Sequence, residues 1–123
     1  MALFSFEKLE VWQKSRELVR GIYVLLQSFP VHEQYTLCSQ MRRSAISITS
    51  NLAEGCGRSS DKDRARFYDI AMGSLFELFA QLQLSCDFGY ESDEQLATLR
   101  AECEVIGKMI SGLKNALKKR MDR

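Results

Sequence analysis

Apolar residues recur at steps of three, four and seven along most of this 123-residue chain, which is the spacing of one face of an α-helix. The pattern is interrupted at Pro30, at Gly55 and Gly57, and at Gly89. Proline and glycine are typical of helix ends and turns. The pattern therefore predicts four helices, over about residues 6–29, 32–56, 62–88 and 93–119.

The predicted helices have similar lengths and short connections. At 1.5 Å per residue, helices of about 24 to 28 residues are roughly 36 to 42 Å long. Matched lengths and short links favour antiparallel neighbours. We therefore predict an all-α fold in which residues 1–123 form a single antiparallel up-down-up-down four-helix bundle domain. The core face of the first helix is predicted at Leu9, Trp12, Val19, Ile22, Tyr23, Leu26 and Phe29.

The third helix has more apolar surface than one neighbouring face requires. Beside its core stripe it has a second stripe, formed by Tyr68, Met72, Phe76 and Phe79. A helix that buries one face needs only one stripe. One interpretation is an exposed surface through which copies of the chain associate. The other is that the stripe packs inside one bundle against Trp12 and Tyr23.

Polar residues also recur at helical spacing. The second helix carries Gln40, Arg43, Ser47, Asn51 and Glu54, and the third carries Ser74 and Glu77. The β-branched and small polar residues between positions 44 and 51 have weak intrinsic helix preference, so tertiary contacts must hold this segment helical. We favour a half-buried polar network or a self-association surface. The alternative is a surface that contacts a ligand or nucleic acid.

Charge alone does not indicate a nucleic-acid-binding protein, because the formal net charge is +1. The local distribution supplies candidates for contacts with phosphate, namely Arg42, Arg43, Arg58, Lys62 and Arg66. A basic run at Lys118, Lys119 and Arg120 could add to them. A ring of several copies would multiply their number, and phosphate binding depends on how many charges act together. The competing interpretation is that these are solvated charges at helix ends.

The sequence gives little support for catalysis. Glu54 and Glu77 could form a carboxylate pair, but a metal-binding bundle of that kind also uses histidine, and the single histidine is His32 beside a predicted helix start. There is no nucleophile, phosphate-loop or zinc motif. We predict a protein that is not an enzyme and has no metal, cofactor or small-molecule substrate.

The cysteines and the hydropathy pattern bear on location. The four cysteines are far apart in the sequence and are expected to be reduced and mostly buried. No apolar run is long enough to span a membrane, and the first residues lack the pattern of a signal peptide. We expect a cytoplasmic protein with no membrane partner.

Several short segments resemble one known family. They are FEKLEVW at positions 6–12, QMRRS at 40–44, SITSNLAEG at 47–55 and GSLFEL at 73–78. In this order they are similar to the ribosomal RNA intervening-sequence proteins, which are encoded in some bacteria within insertions in large-subunit ribosomal RNA genes. The similarity spans about residues 6 to 117 and includes a related accessory protein of diversity-generating retroelements.

The resemblance implies a four-helix bundle and a five-subunit ring. The retroelement relative is thought to bind nucleic acid through basic surface residues, and it is more basic than this chain. The family's polar signature corresponds here to Gln40, Arg43, Ser47, Asn51, Glu54, Gly55, Ser74 and Glu77. RNA or DNA is the partner that the resemblance favours. A scaffold that binds another protein and no nucleic acid is the alternative.

Overall fold

The computed structural model describes residues 3–123, and these residues contain four α-helices. They are α1 (Glu10–Leu26), α2 (Leu37–Cys56), α3 (Asp61–Asp87) and α4 (Asp93–Met121). Each helix packs against the helix that precedes or follows it in the chain, and α4 also meets α1. The four-helix bundle predicted from the sequence is therefore confirmed.

Neighbouring helices run antiparallel. On the α2–α3 pair, Ser44 contacts Gln81. Three residues later on α2, Ser47 contacts Ser74, which precedes Gln81 on α3. The α3–α4 pair shows the same reversal in the contacts Asp69–Lys114 and Phe79–Arg100. The N-terminal part of the chain and α2 show it in the contacts Ser5–Cys56 and Tyr23–Arg42.

The four helices share one apolar core. Ile22, Ile48, Leu78 and Ile110, one from each helix, are fully buried in it. The sequence spacing also predicts apolar stripes on the other three helices, and most of their residues are buried, with Leu37, Cys86, Leu96 and Leu113 half-buried. The stripes are Leu37, Met41, Ala45, Ile48 and Leu52 on α2, Phe67, Ala71, Leu75, Leu78, Leu82 and Cys86 on α3, and Leu96, Leu99, Cys103, Ile106, Ile110, Leu113 and Leu117 on α4. All four cysteines are free thiols. Within residues 3–123, no helix has an apolar stretch of the length needed to cross a bilayer.

Packing is uneven around the bundle. The α2–α3 pair is in the most extensive contact and the α1–α4 pair in the least. An open groove of about 400 Å³ lies between α1 and α4, where Gly21 and Ala101 line its walls with little side-chain volume. The bundle is therefore tightly closed on one side and loosely closed on the other.

Side-chain caps fix where α3 and α4 begin. The Ser60 hydroxyl accepts a hydrogen bond from the backbone N–H of Asp63, three residues into α3. Ser92 and Gln95 form a reciprocal capping box at the start of α4. Such caps satisfy backbone donors that have no partner within the helix, and each contributes about 1 kcal/mol.

The first two helices are shorter than predicted. Leu9 has an extended backbone, so the chain makes a separate 3₁₀ turn at Ser5–Lys8 and α1 begins only at Glu10. Between α1 and α2, the Gln34 side chain donates to the carbonyl oxygens of Leu26 and Phe29 at 3.0 and 3.3 Å. These bonds satisfy the end of α1 and hold the connection in a non-helical path. As a result, α2 begins at Leu37 rather than near residue 32.

The core face of α1 also differs from the prediction. Its buried residues are Val11, Ser15, Leu18, Ile22 and Leu26. Trp12 and Val19 are only partly buried, and Tyr23 is exposed with the Arg42 guanidinium 5.9 Å from its ring centroid. The prediction was wrong at Tyr23 because hydropathy does not distinguish an aromatic residue in the core from one beside a cation at the edge.

Gly55 lies where α2 packs directly against Phe67 and Tyr68 of α3. A Cβ at this position would lie 2.6 Å from Tyr68 Cε1 and 3.1 Å from Phe67 Cβ. Real side chains do not approach so closely, so the absence of a side chain at 55 lets the Tyr68 ring lie against the backbone of α2.

We expect Gly55→Ala to destabilise the protein by roughly 1–3 kcal/mol, because the added methyl group overpacks the contact with Tyr68. Urea unfolding followed by circular dichroism measures the change.

Gly73→Ala is the matched control, since Gly73 is also within a helix and a Cβ there meets nothing within 4 Å. It should gain up to about 1 kcal/mol from better helix propensity. Equal stability of the two variants would show that α2 and α3 are not in close contact at Gly55.

Candidate functional site

The outer seam between α2 and α3 contains a hydrogen-bonded group of small polar side chains. The hydroxyl groups of Ser47 and Ser74 lie 2.7 Å apart. The Asn51 amide donates to the Ser47 carbonyl oxygen at 2.8 Å and to the Ser47 hydroxyl at 3.0 Å. The structure thus brings together three of the predicted polar residues in a half-buried position, where the Ser47–Ser74 bond links the two helices and Asn51 braces Ser47 within α2.

The other predicted members lie apart from this group. Glu54 pairs with Arg58 at 3.2 Å, and both side chains are exposed. Gln40 and Glu77 are also exposed, and their side chains form no hydrogen bond with another described residue. They lie at the outer edge of the seam, where water can satisfy them.

The carboxylates of Glu54 and Glu77 do not converge. Gly55 lies against Tyr68, so Glu54 is level with the start of α3. Glu77 lies nine residues beyond Tyr68, about 14 Å further along α3 at 1.5 Å per residue. Within residues 3–123, no group of three or more histidine, cysteine, aspartate or glutamate side chains is arranged to hold a metal ion. This arrangement does not form a two-carboxylate site.

A second polar contact between α2 and α3 is fully buried. The Ser44 hydroxyl donates to Gln81 Oε1 at 2.8 Å, and the Ser85 hydroxyl donates to the Gln81 carbonyl oxygen at 2.9 Å. This contact is not among the sequence-based predictions. The signal was present, since Ser44 and Gln81 both border apolar core positions, but spacing alone does not pair residues 37 positions apart.

The predicted phosphate-binding residues on α2 differ from each other. The Arg42 guanidinium donates to the Gln34 carbonyl oxygen at 2.8 Å and lies near Tyr23, so it serves to hold the α1–α2 connection. Arg43 is exposed and forms no ion pair with another described residue. Of the two, only Arg43 presents its charge to solvent without a protein partner in the described chain.

Two of the other three candidates lie beside Phe67. The guanidinium groups of Arg58 and Arg66 are 4.5 and 4.8 Å from the Phe67 ring centroid, a distance that favours cation–π attraction. Lys62, on the first turn of α3, is exposed. One aromatic ring thus holds the two arginines together, and Lys62 lies near them along the chain at the start of α3.

The structure separates the five candidates into two groups. Arg42 and Arg58 are 16 residues apart along and just beyond α2, which corresponds to about 24 Å. At the end of the bundle that contains Arg58, charged residues of α4 that are remote in sequence lie beside the start of α3. Asp61 accepts two hydrogen bonds from Arg120, at 3.0 and 2.9 Å, and one from Arg64 at 2.8 Å. These bonds hold the basic end of α4 beside the start of α3.

The arginines also act on Asp61. The hydrogen bonds from Arg120 and Arg64, together with their positive charges, lower the pKa of the Asp61 carboxyl below its usual value. Asp61 therefore stays ionised and keeps the two helix ends joined over the usual pH range.

The second stripe of α3 is not a single surface. Tyr68 is buried in the core beside Gly55, so its predicted place on an oligomer surface is wrong. Met72 and Phe79 are partly buried. Phe76 is 71% exposed. These three side chains lie towards α4 and not towards Trp12 and Tyr23, which are on α1.

Two shallow concavities adjoin Phe76 on the α3–α4 face. One, of about 200 Å³, is lined almost entirely by apolar atoms and includes Phe79 and Cys103. The other, of about 470 Å³, includes Met72 and Gly112, and Gly107 lines both. The glycines leave space beside an exposed aromatic ring. We call Met72, Phe76, Phe79 and Gly107 the α3–α4 surface.

A family model described as 23S rRNA-intervening sequence protein matches residues 7–112 of the chain. The chain belongs to this family. The resemblance inferred from the sequence motifs is therefore confirmed, and the polar residues within those motifs lie mainly along the α2–α3 seam of this 23S rRNA-intervening sequence protein family member.

A solved structure supports the same assignment. It is the crystal structure of a protein of unknown function from the S23 ribosomal protein family of Bacteroides thetaiotaomicron, with 28% identity and a TM-score of 0.76. The match covers 85% of this chain and 95% of the Bacteroides chain. No curated protein matches the chain.

The end of this family member opposite Asp61 contains an unusual acid. Glu91, between α3 and α4, is buried, and neither carboxyl oxygen has a hydrogen-bond partner among the described residues. Burial raises the pKa of this carboxyl from 4.5 to about 7, because the charged form cannot be hydrated. At neutral pH a large share of Glu91 therefore carries a proton.

We expect stability to fall as pH rises from about 4.5 to about 7, since the native state holds a proton on Glu91 that the unfolded chain releases. Glu91→Gln should reduce the slope of unfolding free energy against pH by the equivalent of up to one bound proton. The variant should also be more stable than the parent at pH 8. Urea midpoints measured across the pH range test this.

Glu94→Gln is the control, because Glu94 is exposed three residues away. It should keep the parent's pH dependence. If Glu91→Gln does the same, the carboxyl is hydrated or paired in solution.

Proposed function

We propose that this chain is a non-catalytic protein that assembles with copies of itself, into a ring of five, and binds RNA or DNA through its basic end. The observation that carries the proposal is the Asp61–Arg120 contact, which places the basic residues of α3 and α4 at one end of the bundle. The family description names a sequence that intervenes in 23S rRNA. The five-subunit ring is what the family resemblance implies.

The α3–α4 surface supports self-association. The exposed Phe76 ring and the apolar concavities beside it form one continuous apolar patch, and such patches are typical of interaction surfaces. Burying a phenylalanine side chain contributes about 1.5–3 kcal/mol. A ring needs a contact between two different surfaces, so the α3–α4 surface of one copy would meet another face of the next copy, and the series closes when the rotation between copies allows it. The role of Phe76 would be to become buried against that face of the adjacent copy.

The basic end supports nucleic-acid binding. Arg58, Lys62 and Arg66 lie there, and Lys118 and Lys119 on α4 join them because Arg120 is bonded to Asp61. Arginines placed over an aromatic ring lose less freedom when they contact phosphate. A ring would present this end once per subunit, which raises the number of charges acting together.

We expect Phe76→Ser to reduce the mass of the assembly, because it removes the largest exposed apolar side chain of the α3–α4 surface. Light scattering coupled to size exclusion should give about 70 kDa for the parent, five times the 14.1 kDa of one chain, and a lower mass for the variant.

Val24→Ser is the matched control, since Val24 is 66% exposed on α1. Its mass should equal that of the parent. If Val24→Ser dissociates the assembly and Phe76→Ser does not, self-association uses another face.

We expect neutralising Arg58, Lys62 and Arg66 together to weaken binding of a mixed-sequence RNA about tenfold at low salt, and to reduce the slope of log K against log salt by about 2. Fluorescence anisotropy at several salt concentrations measures both. The substitutions are Arg58→Gln, Lys62→Gln and Arg66→Gln, which keep part of the packing on Phe67.

The matched control neutralises Lys14, Arg16 and Arg20 on α1, where Arg16 likewise lies over an aromatic ring, that of Trp12. Its binding should change little. Neutralising Arg42 and Arg43 together tests the other group of phosphate-binding candidates. If the parent does not bind RNA at any salt concentration, nucleic-acid binding is overturned and a protein partner is favoured.

A further inference from the structure

The connections α1–α2 and α3–α4 meet at one end of the bundle, which we call the acidic end (residues 27–40 and 84–98). These residues include five acids and no lysine or arginine. The acids are Glu33, Asp87, Glu91, Asp93 and Glu94, of which Glu91 is buried and the other four reach the surface. Arg42 and Arg43 follow on α2, and the guanidinium of Arg42 is already bonded to the Gln34 carbonyl oxygen.

Tyr90 holds this end together. Its hydroxyl donates to Glu33 Oε2 at 2.8 Å and lies 3.5 Å from His32 Nε2, which joins the two connections. The Tyr90 ring centroid lies 5.2 Å from that of Phe29 and 5.7 Å from that of Phe88. These aromatic contacts and the hydroxyl bond make the end an ordered surface.

The acidic end exposes more apolar surface than its own chain covers. Tyr35 is 92% exposed, Val31 is 84% exposed, and Phe88 is 58% exposed. Leu84 is also exposed. Large apolar side chains grouped among acids at one end of a domain are typical of an interaction surface.

The opposite end has the complementary character, and we call it the basic end (residues 3–10, 54–66 and 114–123). It holds ten basic and six acidic residues. It also exposes large apolar side chains, since Leu3 is 86%, Phe4 is 59% and Met121 is 48% exposed. The two ends of one chain therefore have opposite charge and exposed apolar residues in common.

We infer that the acidic end of one copy docks against the basic end of another copy, so that bundles associate head to tail. A second copy fits because its basic end supplies, on one surface, the cations that the acidic end lacks and apolar side chains that can cover those the acidic end exposes. Opposite charges attract across such a contact and are screened within about 10 Å at 0.1 M salt, so the association depends on salt.

This contact differs from the proposed ring. The α3–α4 surface lies along the side of the bundle, whereas the two ends are at right angles to it. A head-to-tail contact joins two different surfaces and leaves one of each free, so it extends into a series unless the rotation closes it. Rings joined in this way would stack.

The test uses two variants of the full chain that remove the charge excess of one end each. Asp87→Lys with Glu94→Lys leaves the acidic end with three acids and two lysines, and Lys118→Glu with Lys119→Glu leaves the basic end with equal numbers of basic and acidic residues. Asp87 ends α3 and Glu94 lies in the first turn of α4, so the first substitution offsets the helix-dipole cost of the second. Circular dichroism melts establish that both variants fold.

The parent should grow in mass with concentration at about 0.05 M salt, by about twofold or more over a tenfold range, and should not grow at about 0.5 M salt. The mass of each variant alone should not increase with concentration at either salt concentration. An equal mixture of the two should grow again at low salt, because unlike ends are then available. Analytical ultracentrifugation and light scattering measure these masses.

Lys14→Glu with Arg20→Glu is the control for the Lys118→Glu, Lys119→Glu variant, since it makes the same change in net charge on the side of α1. Its mass should increase with concentration as that of the parent does. Phe76→Ser separates this proposal from the proposed ring: growth should persist but in steps of one 14.1 kDa chain. A parent mass that does not change with concentration at low salt, or a mixture that does not grow, would overturn head-to-tail docking.

Discussion

The close packing of α2 against α3 is the interaction on which the rest of the structure depends. The segment of α2 between Ser44 and Asn51 is rich in residues with weak helix preference, yet it is continuous helix. Two hydroxyl groups 2.7 Å apart, and an aromatic ring against Gly55, require the helix axes to be near each other. The same small and polar residues that weaken α2 as an isolated helix allow this approach, so its helicity and its packing arise together.

The antiparallel order that follows from this packing decides which charges meet. The chain is almost neutral as a whole, with a formal net charge of +1. Folding places the start of α3 beside the end of α4 and the end of α3 beside the start of α4, so cations gather at one end and acids at the other. Asp61 and Tyr90 are the residues that tie these ends, each by contacts with residues more than 50 positions away. Net charge is thus a poor guide to what the surface can bind.

The sequence predicted the number of helices, their order and most core positions because periodic burial leaves a direct signal. It did not predict the role of Arg42, the place of Tyr68 or the buried Ser44–Gln81 contact. Spacing shows which side of a helix is apolar, but not how much of the helix circumference is buried. On α3 the buried sector is wide enough to include Tyr68. Gln34 and Arg42 act through single hydrogen bonds to backbone carbonyl groups, for which side-chain pattern has no equivalent. The family resemblance supplied the signature residues, and the structure supplied the contacts that join only some of them.

The loosely closed side of the bundle has a consequence for its motions. The first helix is held mainly by α2, because its boundary with α4 is an open groove. Local opening occurs where few apolar contacts must be broken. The backbone amides of α1 would then exchange with solvent through detachment of this helix alone, while α2, α3 and α4 remain together as a three-helix unit. A molecule that is rigid along one seam and able to part along the opposite one can adjust its width without losing its core.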